Sequence, residues 1–196
     1  MHMKLLDLGN LNKGNERQKK AFAALTQFKV FEILERYAPV LAGAIPIDVD
    51  IPSSHLDIVC SGDDLVAFGD LIEAQFGRLT RFRLAHGVFE NRPSVVAHFE
   101  IDSLPVQIFA QPSSSLSQTA VLLMLVEARL LTFAPSGARE RVRGLKKDGF
   151  TTVDAFTKVF GIEGEDSTVA LLEIYRMPDV DILKIAHRLR WDSILN

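Results

Sequence analysis

Leu41-Ala42-Gly43-Ala44-Ile45-Pro46-Ile47-Asp48-Val49-Asp50-Ile51-Pro52-Ser53-Ser54-His55-Leu56-Asp57-Ile58-Val59 is the stretch that decides how this chain folds. An apolar run, Val40 to Ala44, reads as a short buried strand that ends on the small pair Gly43 and Ala44. A short loop follows, in which Asp48 and Asp50 precede Pro52, a pattern of turn chemistry. If that loop is extended instead, the two aspartates point the same way and offer oxygens to a metal. His55 to Cys60 then reads as a second strand. Its period of two sends Leu56, Ile58 and Cys60 to a core and His55, Asp57 and Val59 to the other side.

Outward from this stretch the pattern is mixed. Upstream, Asn15 to Gln27 carries Phe22 and Leu25 among charged residues, an amphipathic helix begun by Asn12 or Asn15. Val30 to Tyr37 continues as a second helical piece, ended by Pro39. Downstream, Asp63 or Asp64 caps a helix through Leu65, Phe68, Leu71, Ile72 and Phe76 that stops at Gly77. Leu79 to Phe89, Ser94 to Ile101 and Val106 to Ala110 read as strands. From Gln118 onward the periodicity is helical, in pieces at 118–133, 136–147, 152–160, 167–176 and 178–190. Pro112-Ser113-Ser114-Ser115 is the most linker-like segment, so the division expected is an α/β core at 1–112 and a helical region at 113–196. The fold class is α+β, a mixed sheet with helices on one face.

One hairpin can be read to the residue. With Asp102-Ser103 as a two-residue turn, Ile101 faces Leu104, Phe99 faces Val106 and Ala97 faces Ile108. All six are apolar and form one face against helices. The opposite face holds Val96, His98, Glu100, Pro105, Gln107 and Phe109, with His98 across from Gln107. A slip of one residue mixes the two sets, so the register is well specified. Two strands thereby present polar groups on one face.

Composition narrows the function classes. The chain has 196 residues, 47% hydrophobic and 24% charged, which suits a domain with a substantial core. A net charge of −3 leaves no footprint of general nucleic-acid binding. Cys60 is the only cysteine, so no internal disulfide forms, and a cytoplasmic location is expected. Met1 to Lys20 is polar and lacks the apolar core of a secretory signal. No apolar run is long enough to span a bilayer, so no membrane partner is expected.

Five segments together carry a family likeness. They are Asn15-Glu16-Arg17-Gln18, Ile45-Pro46-Ile47-Asp48-Val49-Asp50-Ile51, Leu56-Asp57-Ile58-Val59-Cys60, Ile108-Phe109-Ala110-Gln111-Pro112 and Glu127-Ala128-Arg129-Leu130-Leu131. They resemble a small bacterial family of unknown function that is itself similar to nucleotidyltransferases. That resemblance implies a nucleotidyltransferase-like sheet, a phosphate-binding turn, and three carboxylates holding Mg or Mn with a nucleoside triphosphate. Magnesium prefers hard oxygen ligands, and two ions clamp both sides of the displacement. Carried over by position, the turn falls on Gly43 and Ala44, the acid pair on His55 and Asp57, and the third acid on Gln107. Only Asp57 keeps its carboxylate, and Ala44 has no hydroxyl to offer a phosphate. The helix after Gln118 departs too, with Val121, Leu122 and Leu123 where polar and basic residues are expected.

Two functional expectations follow. In the first, the chain moves a nucleotidyl group to an unknown hydroxyl acceptor; Asp57 is the main metal ligand, helped by Asp50 or Glu100, with His55 and Gln107 beside it. In the second, it is a catalytically degenerate member that binds a nucleotide or a protein partner, a homodimer included. Loss of two of three carboxylates favours the second. Other residues are set against plainer readings. His55, Asp57 and His98 would make a nitrogen-rich site for zinc or manganese, but His98 opposite Gln107 is also an ordinary cross-strand pair. Arg81 and Arg83 either meet a triphosphate or sit on a solvated strand face. Cys60 is core and unreactive, the stripe Leu125, Leu130, Leu131 and Phe133 is helix packing, and Trp191 seals a helix end or a dimer contact.

Overall fold

Asn15 starts the first long helix by a reciprocal cap: its Oδ1 accepts from the Gln18 N–H at 2.9 Å, and Gln18 Oε1 accepts from the Asn15 N–H at 3.0 Å. The computed structural model describes residues 5–187, so Trp191 and the last residues of the final predicted helix lie outside the described residues. The capped helix is α1 (Glu16–Gln27). A short α2 (Val30–Ile33) and a 3-10 turn, Glu35–Tyr37, lead into β1 (Val40–Ala42). β1 ends two residues earlier than its apolar run because Gly43 takes the left-handed backbone, φ +77°. The run therefore turns away instead of extending.

β2 (Leu56–Ser61) is followed by α3 (Leu65–Phe76), whose cap is Asp64, accepting from the Ala67 N–H at 2.9 Å. The next predicted strand begins only at Arg83. Residues 77–81 are turns and bends, and Arg81 is left-handed at φ +59°. β3 (Arg83–Phe89), β4 (Arg92–Ile101) and β5 (Leu104–Gln111) complete one sheet in the order β1-β2-β5-β4-β3. β2 and β5 run parallel and the other neighbours antiparallel, so the sheet is mixed. The two hairpin turns are both tight and both lack glycine: Glu90 and Asn91 join β3 to β4, Asp102 and Ser103 join β4 to β5, and all four have positive φ. Two positive-φ central residues match the right-handed twist of the strands.

The β4–β5 register is the expected one, with Ile101 on Leu104, Phe99 on Val106, Ala97 on Ile108 and His98 on Gln107. The six apolar members are all buried, together with Leu56, Ile58 and Cys60 of β2. They pack against Ala21, Ala24 and Leu25 of α1 and Phe68, Ile72 and Phe76 of α3, which places the helices on one face. Phe76 stacks on Phe99 with ring centroids 4.8 Å apart. Burial pushes the Cys60 thiol up to about 12, so it is an inert core group. Leu8–Lys13 adds a 3-10 turn capped by Asp7, which no helical periodicity announces over so short a span.

The chain divides into two compact units, residues 1–48 with 52–121 and residues 49–51 with 122–196. The sequence places its boundary at Pro112, whereas the contacts divide the chain inside α4 (Thr119–Phe133). The second unit holds the rest of α4 and α5 (Ala138–Lys147), α6 (Thr152–Phe160), α7 (Ser167–Tyr175) and α8 (Asp179–His187). Thr151 and Asp166 cap α6 and α7. Within this unit the buried Arg129 donates to the carbonyls of Tyr175 and Met177 at 2.9 and 2.8 Å and pairs with Asp179, holding the α7–α8 turn against α4. Glu127 is fully buried, and burial lifts its carboxyl to about 8 against the opposing pull of the Lys146 ammonium. Lys146 in turn donates to the Val49 carbonyl at 3.0 Å. Among the described residues no helix is long and apolar enough to cross a membrane.

Candidate functional site

Three strand registers align one polar row across the sheet. Asp57 of β2 lies opposite Gln107 of β5, Gln107 opposite His98 of β4, and His98 opposite Arg83 of β3. Directly paired residues project from the same face, so a carboxylate, an amide, an imidazole and a guanidinium stand side by side on the face away from the core. Ala42 ends the row on β1, with Gly43 next to it. The sequence anticipates the Asp57, Gln107 and His98 positions. Arg83 joins them because it pairs with His98, a partnership invisible until the β3 register is known.

Asp57 is closely confined. Its Oδ1 lies 2.7 Å from His55 Nδ1, with the His55 side chain 45% exposed and that of Asp57 23%. Its Oδ2 lies against the bare Cα of Gly43, where a side chain would overlap it. Gly43 therefore answers two demands, a left-handed backbone and a close approach by the carboxylate. Ala44 is buried, and with it the turn candidate lies in a run of turns at 44–48. That run corrects the extended reading of the aspartates: Asp48 is left-handed at φ +59° and accepts from Asn15 Nδ2 at 2.6 Å. Asp50 belongs with the second unit and is half-buried.

The loop joining Gly43 to His55 is held by α1. Arg17 donates to the carbonyls of Ser54 at 2.8 Å and Pro52 at 3.2 Å, and Gln18 Nε2 donates to the Ile45 carbonyl at 2.8 Å. Asn15, Arg17 and Gln18 thus fix the two ends of the site stretch through long-range bonds to backbone. Sequence reading found the motif and missed this role, because nothing local links residue 17 to residue 54.

Further along the face, Glu100 lies opposite Pro105 and accepts from Arg81 Nη1 at 2.8 Å. His98 sits below its ordinary imidazole value, first through burial, then through the positive charges of His55 and Arg83, with Asp57 pulling the other way. The donor set does not fit a two-magnesium clamp. Oxygen-seeking cations need several carboxylates, and the row supplies one carboxylate beside an amide and an imidazole. Among the described residues no three His, Cys, Asp or Glu side chains gather to hold a metal ion, so the His55, Asp57 and His98 set does not close around one.

Residues 23–174 match the domain of unknown function DUF4269. The chain belongs to the DUF4269 family. No curated protein matches it. Solved structures do resemble it in fold. A Cid1 structure described for its RNA terminal uridylyl transferase activity has a TM-score of 0.51 at 13% identity, covering 82% of this chain and 49% of that one. The Cid1 poly(U) polymerase with Mg 3′-dATP bound has a TM-score of 0.50 at 14% identity, covering 82% and 49%. The polymerase core of TRAMP, an RNA surveillance complex, has a TM-score of 0.48 at 11% identity, covering 82% and 50%. The DUF4269 chain spans about half the length of these structures. At such identities the likeness is one of fold, and the fold is nucleotidyltransferase-like.

Proposed function

We propose that this DUF4269 protein binds a nucleoside triphosphate on a nucleotidyltransferase-like fold without the two-metal transfer chemistry. The observation that carries the reading is the 2.7 Å contact between His55 and Asp57, with Gln107 directly across from the same aspartate. Two divalent cations bring four positive charges, and this row offers one carboxylate, one oxygen of which already faces an imidazole. Without compensating anions the ions are not held, and the charge stabilisation that transfer to a hydroxyl acceptor needs is missing. Backbone N–H groups around Gly43 and Ala44 would still serve phosphate, since such groups need no metal to do so. A cytoplasmic setting, where such nucleotides are abundant, is part of the same proposal.

Calorimetry with ATP, GTP, CTP and UTP tests it, each with chelator and each with magnesium or manganese. The expected result is binding of at least one nucleotide that is indifferent to metal and survives Asp57→Asn. Metal-dependent binding abolished by Asp57→Asn would overturn this in favour of an active transferase in which Asp57, with Glu100, holds the ion. Absence of binding for all four nucleotides would leave the protein-binding reading in its place.

A further inference from the structure

The polar row ends in a second feature whose arginines and Glu100 the nucleotide reading does not use. A cavity of about 330 Å³ opens over the Arg83 end of the sheet, lined by His55, Arg81, Arg83, His98 and Glu100 above the backbone of β4 and β5. That volume is at the small end for ligand sites. Its charges are unevenly matched. Arg81 and Glu100 satisfy each other at 2.8 Å, the arginine held there on a left-handed backbone. Arg83 makes no ion pair among the described residues, and beside it stand two imidazoles with Asp57 as their opposing carboxylate.

We propose that this cavity binds a phosphate monoester, with the Arg83 guanidinium and the His98 and His55 imidazoles around the phosphate and the Glu100 carboxylate accepting from a hydroxyl of the ligand. Guanidinium recognises phosphate through paired N–H donors, and a dianion draws on several cations at once, which a carboxylate ligand does less. The cavity approaches the Gly43 turn only through His55, which contacts Asp57, and its phosphate cations lie further off. In strand order His98 and Arg83 stand three and four strands from β1, roughly 14 and 19 Å at ordinary sheet spacing. It stands whether or not a nucleotide binds at Gly43.

The test is an NMR titration of the histidine ring protons in the full chain, with inorganic phosphate, ribose 5-phosphate, ribose and acetate as probes. Arg83 is exposed at the sheet edge, so Arg83→Gln leaves the fold intact; Arg92→Gln, at the far end of β4, is the control. Phosphate and ribose 5-phosphate should shift the His98 ring protons, the monoester binding more tightly, while ribose and acetate leave them unmoved. Arg83→Gln should weaken the monoester about tenfold and Arg92→Gln should not. No response to either phosphate, an equal response to acetate, or unchanged affinity in Arg83→Gln overturns the proposal. The nucleotide calorimetry repeated on Arg83→Gln separates the two sites. Retained nucleotide binding with lost ribose 5-phosphate binding supports a second site, and loss of both overturns it.

Discussion

Replacing Gly43 with alanine tests the confinement of Asp57. Two costs arise, and they can be told apart. Gly43 has φ +77°, and an alanine forced into the left-handed region costs about 1 kcal/mol. The added methyl would also overlap Asp57 Oδ2 and stand 3.1 Å from its Cγ, so the carboxylate must swing away and abandon His55. A hydrogen bond to a charged group is worth about 1.5–3 kcal/mol when sheltered. With the His55 side chain 45% exposed, solvent reduces that to about 1 kcal/mol. Gly43→Ala should therefore cost about 2 kcal/mol in the wild-type background. In an Asp57→Ala background the overlap is gone and only the backbone cost of about 1 kcal/mol remains, a coupling of about 1 kcal/mol between the two positions. Urea unfolding of the four proteins, followed by far-UV circular dichroism and compared at a common slope, measures it. Equal costs of Gly43→Ala in both backgrounds would refute the packing argument and leave glycine there for its backbone alone.

Three further outcomes follow from other parts of the molecule. Asn15→Ala removes a cap and the bond to Asp48, and should cost about 1–2 kcal/mol while speeding amide exchange in residues 44–54, read by mass spectrometry. Glu127, lifted from 4.5 to about 8, binds a proton in the native state that the unfolded chain has already lost. Its contribution is present in full below the unfolded value and is lost as pH rises through the folded one. Stability should thus decline from about pH 5 to about pH 8, Glu127→Gln should remove that slope in thermal melts, and Lys146→Met should carry the decline to higher pH. Finally, His55→Asp with Gln107→Asp rebuilds three carboxylates in the row with Asp57, and manganese binding, followed by electron paramagnetic resonance, should appear in the double variant and be absent from the wild type.

What the sequence makes legible here depends on how local the governing chemistry is. The β4–β5 register is readable because six alternating apolar residues and a two-residue turn admit one alignment. Helix starts at Asn15, Asp64, Thr151 and Asp166 follow from side chains that cap their own neighbours. The strand at Leu79 fails because its alternation is apolar enough for a strand, while the left-handed backbone of Arg81 leaves no local trace. The grip of Arg17 on Pro52 and Ser54, and the pairing of Glu127 with Lys146, join residues far apart in the chain. At the site, Asp57 and Gln107 were placed together by periodicity. Their union with Arg83 needed the order of strands in the sheet, which no single window of residues encodes.

The Asp102-Ser103 turn has a bearing on heredity as much as on geometry. It sits in an exposed loop, the kind of place where point changes are normally harmless. Yet the register it closes sets His98 and Gln107 on one side of the sheet and Phe99 and Ile108 on the other. A change there that shifted the pairing by one residue would send one arm of the hairpin inside out, seating an imidazole or an amide among phenylalanines. Across relatives, then, this turn should keep its length, and its letters should stay among those that tolerate a left-handed backbone.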